Sequence, residues 1–311
     1  MENRVKVLAI VGVGRSGSTI LSKSLGAIEG FVNIGEPVMV WEHGLKANQK
    51  CGCNSKFNSC EFWNAVLKKT WGELDDITKT DISHLYHLFE AQDIPSYRQL
   101  LRGYTLENQF NSSETLKASN YMVNLEKFYN SLYTVGGNQI LIDSSKLPTY
   151  LHLLSLLPSI DLFLLHLVRD PRAVSFSWQR KKARQKSILK SSREWLSWNL
   201  FFDYFGYKLS ENYIRIYYEN FIEKPRVTIR NILRFLEEPE VNADFPFIDD
   251  NTVRLYKDHN IGGNTSRKSV GSTVITPDNE WRYNLSFVNK YFVSCITMPL
   301  LFRYGYPILN I

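Results

Sequence analysis

The chain opens with Val5-Lys6-Val7-Leu8-Ala9-Ile10-Val11, and this run leads straight into Gly12-Val13-Gly14-Arg15-Ser16-Gly17-Ser18-Thr19. A near-continuous apolar run of that length, closed by glycine, predicts a parallel strand buried on both faces, over Val5 to Val13. After the glycines, Ser18 to Ala27 carries Ile20, Leu21, Ser24 and Leu25 at helical spacing. Strand, tight glycine turn and helix form the first unit of an α/β fold, and few other architectures begin this way.

The same alternation returns later. Strands are expected at Val32 to Ile34, Gln139 to Asp143, Asp161 to Val168 and Tyr213 to Tyr218. Helices are expected at Lys146 to Leu157, Pro171 to Arg193, Trp195 to Leu209, Pro225 to Leu236 and around Leu285 to Phe302. Residues from about 40 to 135 show no strand pattern; polar helical stretches around Glu61 to Trp71, Asp81 to Gln92 and Leu116 to Leu132 make this a largely helical insertion. With 311 residues, the expectation is one domain over 1–311 carrying that insertion.

The net charge is +6, and positive charge is concentrated between Arg169 and Arg193. A solvated helix face explains part of that run. No aromatic RNA-binding signature, zinc-finger spacing or helix-turn-helix pattern points to nucleic acid, so a polyanionic nucleotide is the better partner for the rest. The apolar run at the start is too short for a signal peptide, and no stretch reaches the ~18 apolar residues of a membrane span. A soluble, cytoplasmic protein with free thiols is therefore expected. Cys51, Cys53 and Cys60 form a local cluster. With His43 they could in principle hold zinc, but C-x-C-x6-C is not a usual zinc-knuckle spacing, so no metal site is assigned and plain loop cysteines are the default.

The glycine loop fits G-x-x-x-x-G and then departs from the Walker pattern, placing Ser18 where a nucleoside triphosphatase has lysine. The means of holding phosphate remain: backbone N–H groups of Gly14, Ser16, Gly17, Ser18 and Thr19 and a helix N-terminus. The cation has moved into the loop as Arg15. A kinase also needs an acid for Mg²⁺, for which Asp143 is the evident candidate. Sulfonyl transfer needs no divalent metal, and a cation at the bridging oxygen serves instead.

Val11 to Thr19 resembles the 5′-phosphosulfate loop of the sulfotransferase superfamily, in the arginine-containing form of carbohydrate and tyrosylprotein sulfotransferases. Leu167-Val168-Arg169-Asp170-Pro171-Arg172-Ala173-Val174-Ser175-Phe176-Ser177 is similar to its 3′-phosphate element, with an arginine ending a strand and a serine eight residues on. The resemblance covers residues 5 to 36 and 139 to 285. It implies a P-loop-like three-layer α/β/α fold with a central parallel sheet, and 3′-phosphoadenosine 5′-phosphosulfate (PAPS) as cosubstrate with adenosine 3′,5′-bisphosphate as product. The implied acceptor is a hydroxyl on a small molecule, carbohydrate, lipid or phenol.

The resemblance also implies nucleotide contacts from Arg169, Ser177, Lys181 and Tyr218, and from Arg267 and Lys268 in the late loop His259 to Lys268. Lys146, in Asp143-Ser144-Ser145-Lys146, is implied to touch the sulfonate or acceptor. A general base is needed, and Glu36 in Ile34-Gly35-Glu36-Pro37 holds the position of the catalytic glutamate of tyrosylprotein sulfotransferases; His43, His152 and His259 are the competing bases. His166, inside an apolar strand, reads as a satisfied core histidine. Two other readings stay open: a nucleotide-binding module on this scaffold without turnover, and a small-molecule kinase.

Overall fold

The computed structural model describes residues 4–73, 112–180, 185–240 and 246–308. Five strands form one sheet: β1 (Val5–Val11), β2 (Phe31–Gly35), β3 (Ile140–Asp143), β4 (Ile160–Val168) and β5 (Tyr213–Tyr217). Their order is β2-β3-β1-β4-β5. β1 and β2 both pair with β3 in parallel, with Ala9 and Gly35 each opposite Asp143, and β4 pairs with β5 in parallel, Leu164 opposite Tyr213. β1 to β4 are buried nearly throughout, as the apolar runs require, whereas in β5 only Ile216 is fully buried. Helices flank this sheet, so the α/β fold class read from the sequence is the one observed. Two short strands missing from that reading, β6 (Thr252–Leu255) and β7 (Gly271–Val274), make a separate two-stranded sheet.

The chain divides into two compact units: residues 1–10, 19–163 and 254–271 form the first, and residues 11–18, 164–253 and 272–311 the second. In the first unit, α1 (Ser18–Leu25) follows the glycine loop. Within the expected insertion, α2 (Glu61–Trp71) and α3 (Ser112–Val135) are helical, and Asp81 to Gln92 lies outside the described residues. Buried Trp63, Val66 and Leu67 of α2 share a core with Tyr121, Leu125, Phe128 and Leu132 of α3, whose spacing marks one helix face. Trp41 and Trp63 meet Phe128 at ring-centroid distances of 6.0 and 6.3 Å. The last helix of this unit, α4, spans Pro148–Ser155, with proline in its first turn.

In the second unit, the expected single helix Pro171 to Arg193 is two. α5 covers Pro171–Gln179, and α6 runs Ile188–Leu209, absorbing the helix expected from Trp195. Asp170 caps α5 by accepting from the Arg172 N–H at 2.8 Å, and Ser187 caps α6 by accepting from the Lys190 N–H. The intervening sequence places Arg180 with Arg184 and Lys182 with Lys186, like charges four residues apart that disfavour a continuous helix. α7 (Tyr218–Glu223) and α8 (Pro225–Phe235) follow β5, and α9 (Glu280–Asn284) and α10 (Phe287–Arg303) close the chain. Val13, Val168, Val174, Trp195, Leu300 and Tyr304 form the apolar core behind the glycine loop. His166 is fully buried between Tyr213 Oη (3.1 Å) and Asn199 Oδ1 (2.7 Å), a satisfied core histidine. Among the described residues, no helix is long and apolar enough to cross a membrane.

Candidate active site

The second unit gathers the cations of both phosphate motifs. Arg15 takes a left-handed backbone, φ 79°, a conformation that costs a non-glycine residue about 1–3 kcal/mol and that clusters at functional sites. Its Nε donates to Ser177 Oγ at 2.9 Å. Arg169 leaves the carboxyl end of β4 and is 5% exposed. Its Nη1 donates to the Arg15 carbonyl at 2.9 Å, its Nη2 to Asp278 Oδ2 at 2.9 Å, and its guanidinium lies 4.3 Å above the Tyr218 ring. Arg15, Ser177, Arg169 and Tyr218, drawn from three stretches of sequence, thus form one connected cluster.

Gly17 needs to be glycine twice over: its φ is +90°, and a Cβ would stand 2.4 Å from the Tyr218 ring. A Cβ on Gly14 would stand 2.7 Å from the Trp178 ring, which carries Lys186 over it at 4.0 Å. The cluster holds two buried polar atoms with no hydrogen-bond partner, Ser16 Oγ and Arg169 Nε. Burial, with the charges of Arg169 and Arg180 added to it, pulls the Arg15 guanidinium below its ordinary pKa, and Asp278 acts the other way. Orphaned donors beside two crowded guanidiniums are what an anion would satisfy, and a nucleotide phosphate fits them.

Asp170 does not pair with Arg169. It holds the buried Arg172 in a bidentate ion pair at 2.9 and 2.7 Å, so Arg169 is left to face the loop. The sequence reading missed Asp278 altogether. It sits in Thr276-Pro277-Asp278-Asn279, where no motif announces it. Lys181 lies outside the described residues.

The first unit holds Glu36 and Lys146. Glu36 follows the last residue of β2 and Lys146 comes three residues after the end of β3, so both stand at the carboxyl edge where parallel sheets bind ligands. Lys146 Nζ is ion-paired to Glu36 Oε1, with both side chains largely buried. Lys146, like Arg15, is left-handed (φ 67°). The Glu36 N–H donates to the Ile261 carbonyl at 2.8 Å, and the Gly262-Gly263 turn lies directly against the Glu36 side chain. Thr19, Ser22, Gly35, Glu36, Ser144 and Gly263 help to line a small pocket here.

Asp143 is committed elsewhere. Tyr129 Oη donates to its Oδ2 at 2.5 Å and the Ser145 N–H to its Oδ1 at 2.7 Å, and burial raises its pKa despite these bonds and the charge of Lys146. Arg267, expected on the nucleotide, is buried with Nη1 on the Gly262 carbonyl (2.8 Å) and Nη2 on the Lys50 carbonyl (2.9 Å). The guanidinium thus pins the late loop, whereas Lys268 beside it is exposed. The histidine that meets the cysteine cluster is His259, not His43.

A family model described as the sulfotransferase family matches residues 8–242. The chain belongs to the sulfotransferase family. No curated protein matches it. Among solved structures it is similar to the sulfotransferase domain of the Synechococcus PCC 7002 olefin synthase, at 19% identity, with 99% of this chain and 97% of that one covered and a TM-score of 0.56. It is similar also to the sulfotransferase domain from the curacin biosynthetic pathway, at 16% identity, with 97% and 98% covered and a TM-score of 0.55. At such identities the likeness is one of fold.

Proposed function

We propose that this sulfotransferase moves a sulfonate group from PAPS to a hydroxyl of a small-molecule acceptor. The observation that carries the proposal is the cluster of Arg15, Ser16, Ser177 and Arg169, with its unpartnered donors, in a chain of this family. In this reading the glycine loop and Arg15 hold the 5′-phosphosulfate, while Arg169, with Ser177 and Tyr218, holds the 3′-phosphate. PAPS, once bound, supplies an activated sulfonate on a phosphate leaving group. The acceptor oxygen bonds to sulfur as the bond from sulfur to the bridging oxygen breaks, and the electron pair leaves on the 5′-phosphate. Arg15 stabilises that charge. Glu36 takes the acceptor proton, and Lys146 aligns the carboxylate and meets the sulfonate. The engagement of both Asp143 oxygens runs against the kinase reading, which needs that acid for Mg²⁺.

Thermal unfolding with adenosine 3′,5′-bisphosphate tests this. The nucleotide at ~100 times its Kd, with no divalent metal added, should stabilise the protein by about 2.7 kcal/mol. Stabilisation by ATP-Mg²⁺ alone would overturn the donor assignment.

A further inference from the structure

Cys51, Cys53, Cys60 and His259 lie in the first unit, and none of the three cysteines is assigned to donor or acceptor. One potential ligand atom from each falls within 4.8 Å of all the others. Cys60 Sγ is 3.8 Å from Cys51 Sγ, 3.7 Å from Cys53 Sγ and 3.3 Å from His259 Nδ1, and Cys51 Sγ is 3.9 Å from the same nitrogen. With Zn–S near 2.3 Å and Zn–N of 2.0–2.1 Å, a regular tetrahedron has edges of about 3.8 Å between sulfurs and about 3.5 Å between sulfur and nitrogen. Four of the cluster's six edges come close to those of that tetrahedron, and the other two are within 4.8 Å. The cluster does not have the dimensions of a disulfide, in which bonded sulfurs stand ~2.05 Å apart. We propose that Cys51, Cys53, Cys60 and His259 form a structural zinc site.

The surroundings are built for it. An isolated antiparallel bridge between Lys50 and Lys56 closes a tight hairpin that presents Cys51 and Cys53, and the Asn54 N–H donates to the Cys51 carbonyl at 2.9 Å within it. Gly52 between the two cysteines has no room for a side chain, since a Cβ would stand 2.2 Å from Asp258 Oδ1. Cys60 is fixed as the residue preceding α2. His259 is held from three directions: Phe62 stacks on its ring at 4.6 Å and 9°, Trp63 Nε1 donates to its carbonyl at 2.9 Å, and neighbouring Asp258 binds the buried Lys23 at 3.0 Å and Asn33 at 2.8 Å. Zinc with three thiolates and a neutral imidazole carries a net charge of −1. Lys50, Lys56 and the Arg267 guanidinium, anchored on the Lys50 carbonyl, are the nearby compensation.

The site also has a task. His259 immediately precedes Asn260 to Gly263, the segment whose Ile261 carbonyl binds the Glu36 N–H and whose glycines lie against Glu36. A metal here fastens that segment to the cysteine hairpin and so fixes one wall around Glu36.

Protein purified without chelator should carry about one zinc per chain by elemental analysis. Cobalt(II) added to zinc-depleted wild-type protein should give the thiolate charge-transfer and intense visible bands of a tetrahedral sulfur-ligated ion. Cys60→Ser and His259→Ala should lose the bound zinc and the cobalt spectrum, and removal of zinc from the wild type should speed amide exchange at Ile261 to Gly263 and leave α5 unchanged. If either variant does not fold, the wild-type cobalt titration decides alone. A folded wild-type protein that binds neither metal, or a disulfide among these cysteines in the isolated protein, overturns the proposal.

Discussion

Arg15 Nε donates to Ser177 Oγ at 2.9 Å, joining the loop after β1 to the helix after β4 through one hydrogen bond. The serine thus ties the glycine loop to the Arg169–Ser177 element. A hydrogen bond from a charged donor contributes about 1.5–3 kcal/mol, enough to hold Arg15 in its left-handed conformation before any nucleotide arrives.

That arrangement separates binding from chemistry. Arg169 faces Asp278 and Tyr218 and is assigned to the 3′-phosphate, remote from the reacting sulfur, so Arg169→Ala should weaken adenosine 3′,5′-bisphosphate binding at least tenfold and change single-turnover transfer at saturating donor far less. Arg15→Ala should lower both, because that cation meets charge that develops only in the transition state. Asp278→Asn removes a carboxylate competing for the Arg169 guanidinium and should tighten nucleotide binding several-fold, the ~1 kcal/mol of one nearby charge in a wet site. Calorimetry on the three variants checks this. Unchanged affinity in Arg169→Ala would move the 3′-phosphate site elsewhere.

A pH-dependent stability term is expected from Glu219, whose Oε1 accepts from the Asp170 N–H at 3.1 Å and whose Oε2 accepts from Tyr306 Oη at 2.7 Å. Burial, with the charge of Asp170 added, raises its pKa in spite of these bonds. A carboxyl raised on folding stabilises the protein fully below its unfolded pKa, ordinarily ~4.3, and that contribution is lost as pH rises through the folded value. The stability of wild type relative to Glu219→Gln should therefore fall as pH climbs from about 4, then level off. Denaturant melts across that range would contradict this if the difference were flat or rose.

The grouping of Arg15, Arg169 and Ser177 was legible in the sequence because these residues sit at fixed offsets from strand ends: Arg15 in the glycine turn, Arg169 directly after β4, Ser177 two helical turns on. Those offsets are local, and hydrophobic periodicity locates the strands. What escaped is what depends on distant pairing. Asp278 reaches Arg169 across 109 residues, and His259 meets Cys60 across 199, a separation that a reading of His43 beside the cysteines in sequence does not reach. Arg267 fits a nucleotide motif by type and place, yet its donors go to the carbonyls of Gly262 and Lys50, a use that no side-chain pattern encodes. The break at Gln179 was hidden because α5 and α6 both keep helical spacing on either side of the basic run.

The remaining prediction concerns the Glu36–Lys146 pair. If Glu36 is the general base, Glu36→Gln keeps its shape and the Ile261 contact of its backbone, so nucleotide affinity should be unchanged while transfer slows ~10²–10⁴-fold. Lys146→Met should also slow transfer, since it leaves the carboxylate without its partner and removes the cation meant for the sulfonate. The two variants differ in their pH profiles. With Glu36 gone, the acidic limb of the rate profile should flatten, because the group that reports there is no longer present; with Lys146 gone, the limb should persist. A histidine base predicts otherwise: near-wild-type transfer by a folded Glu36→Gln protein, with turnover abolished by His152→Ala or His43→Ala. Single-turnover rates between about pH 5 and 9 on these variants distinguish the two, and a fully active Glu36→Gln enzyme would remove Glu36 from the chemistry.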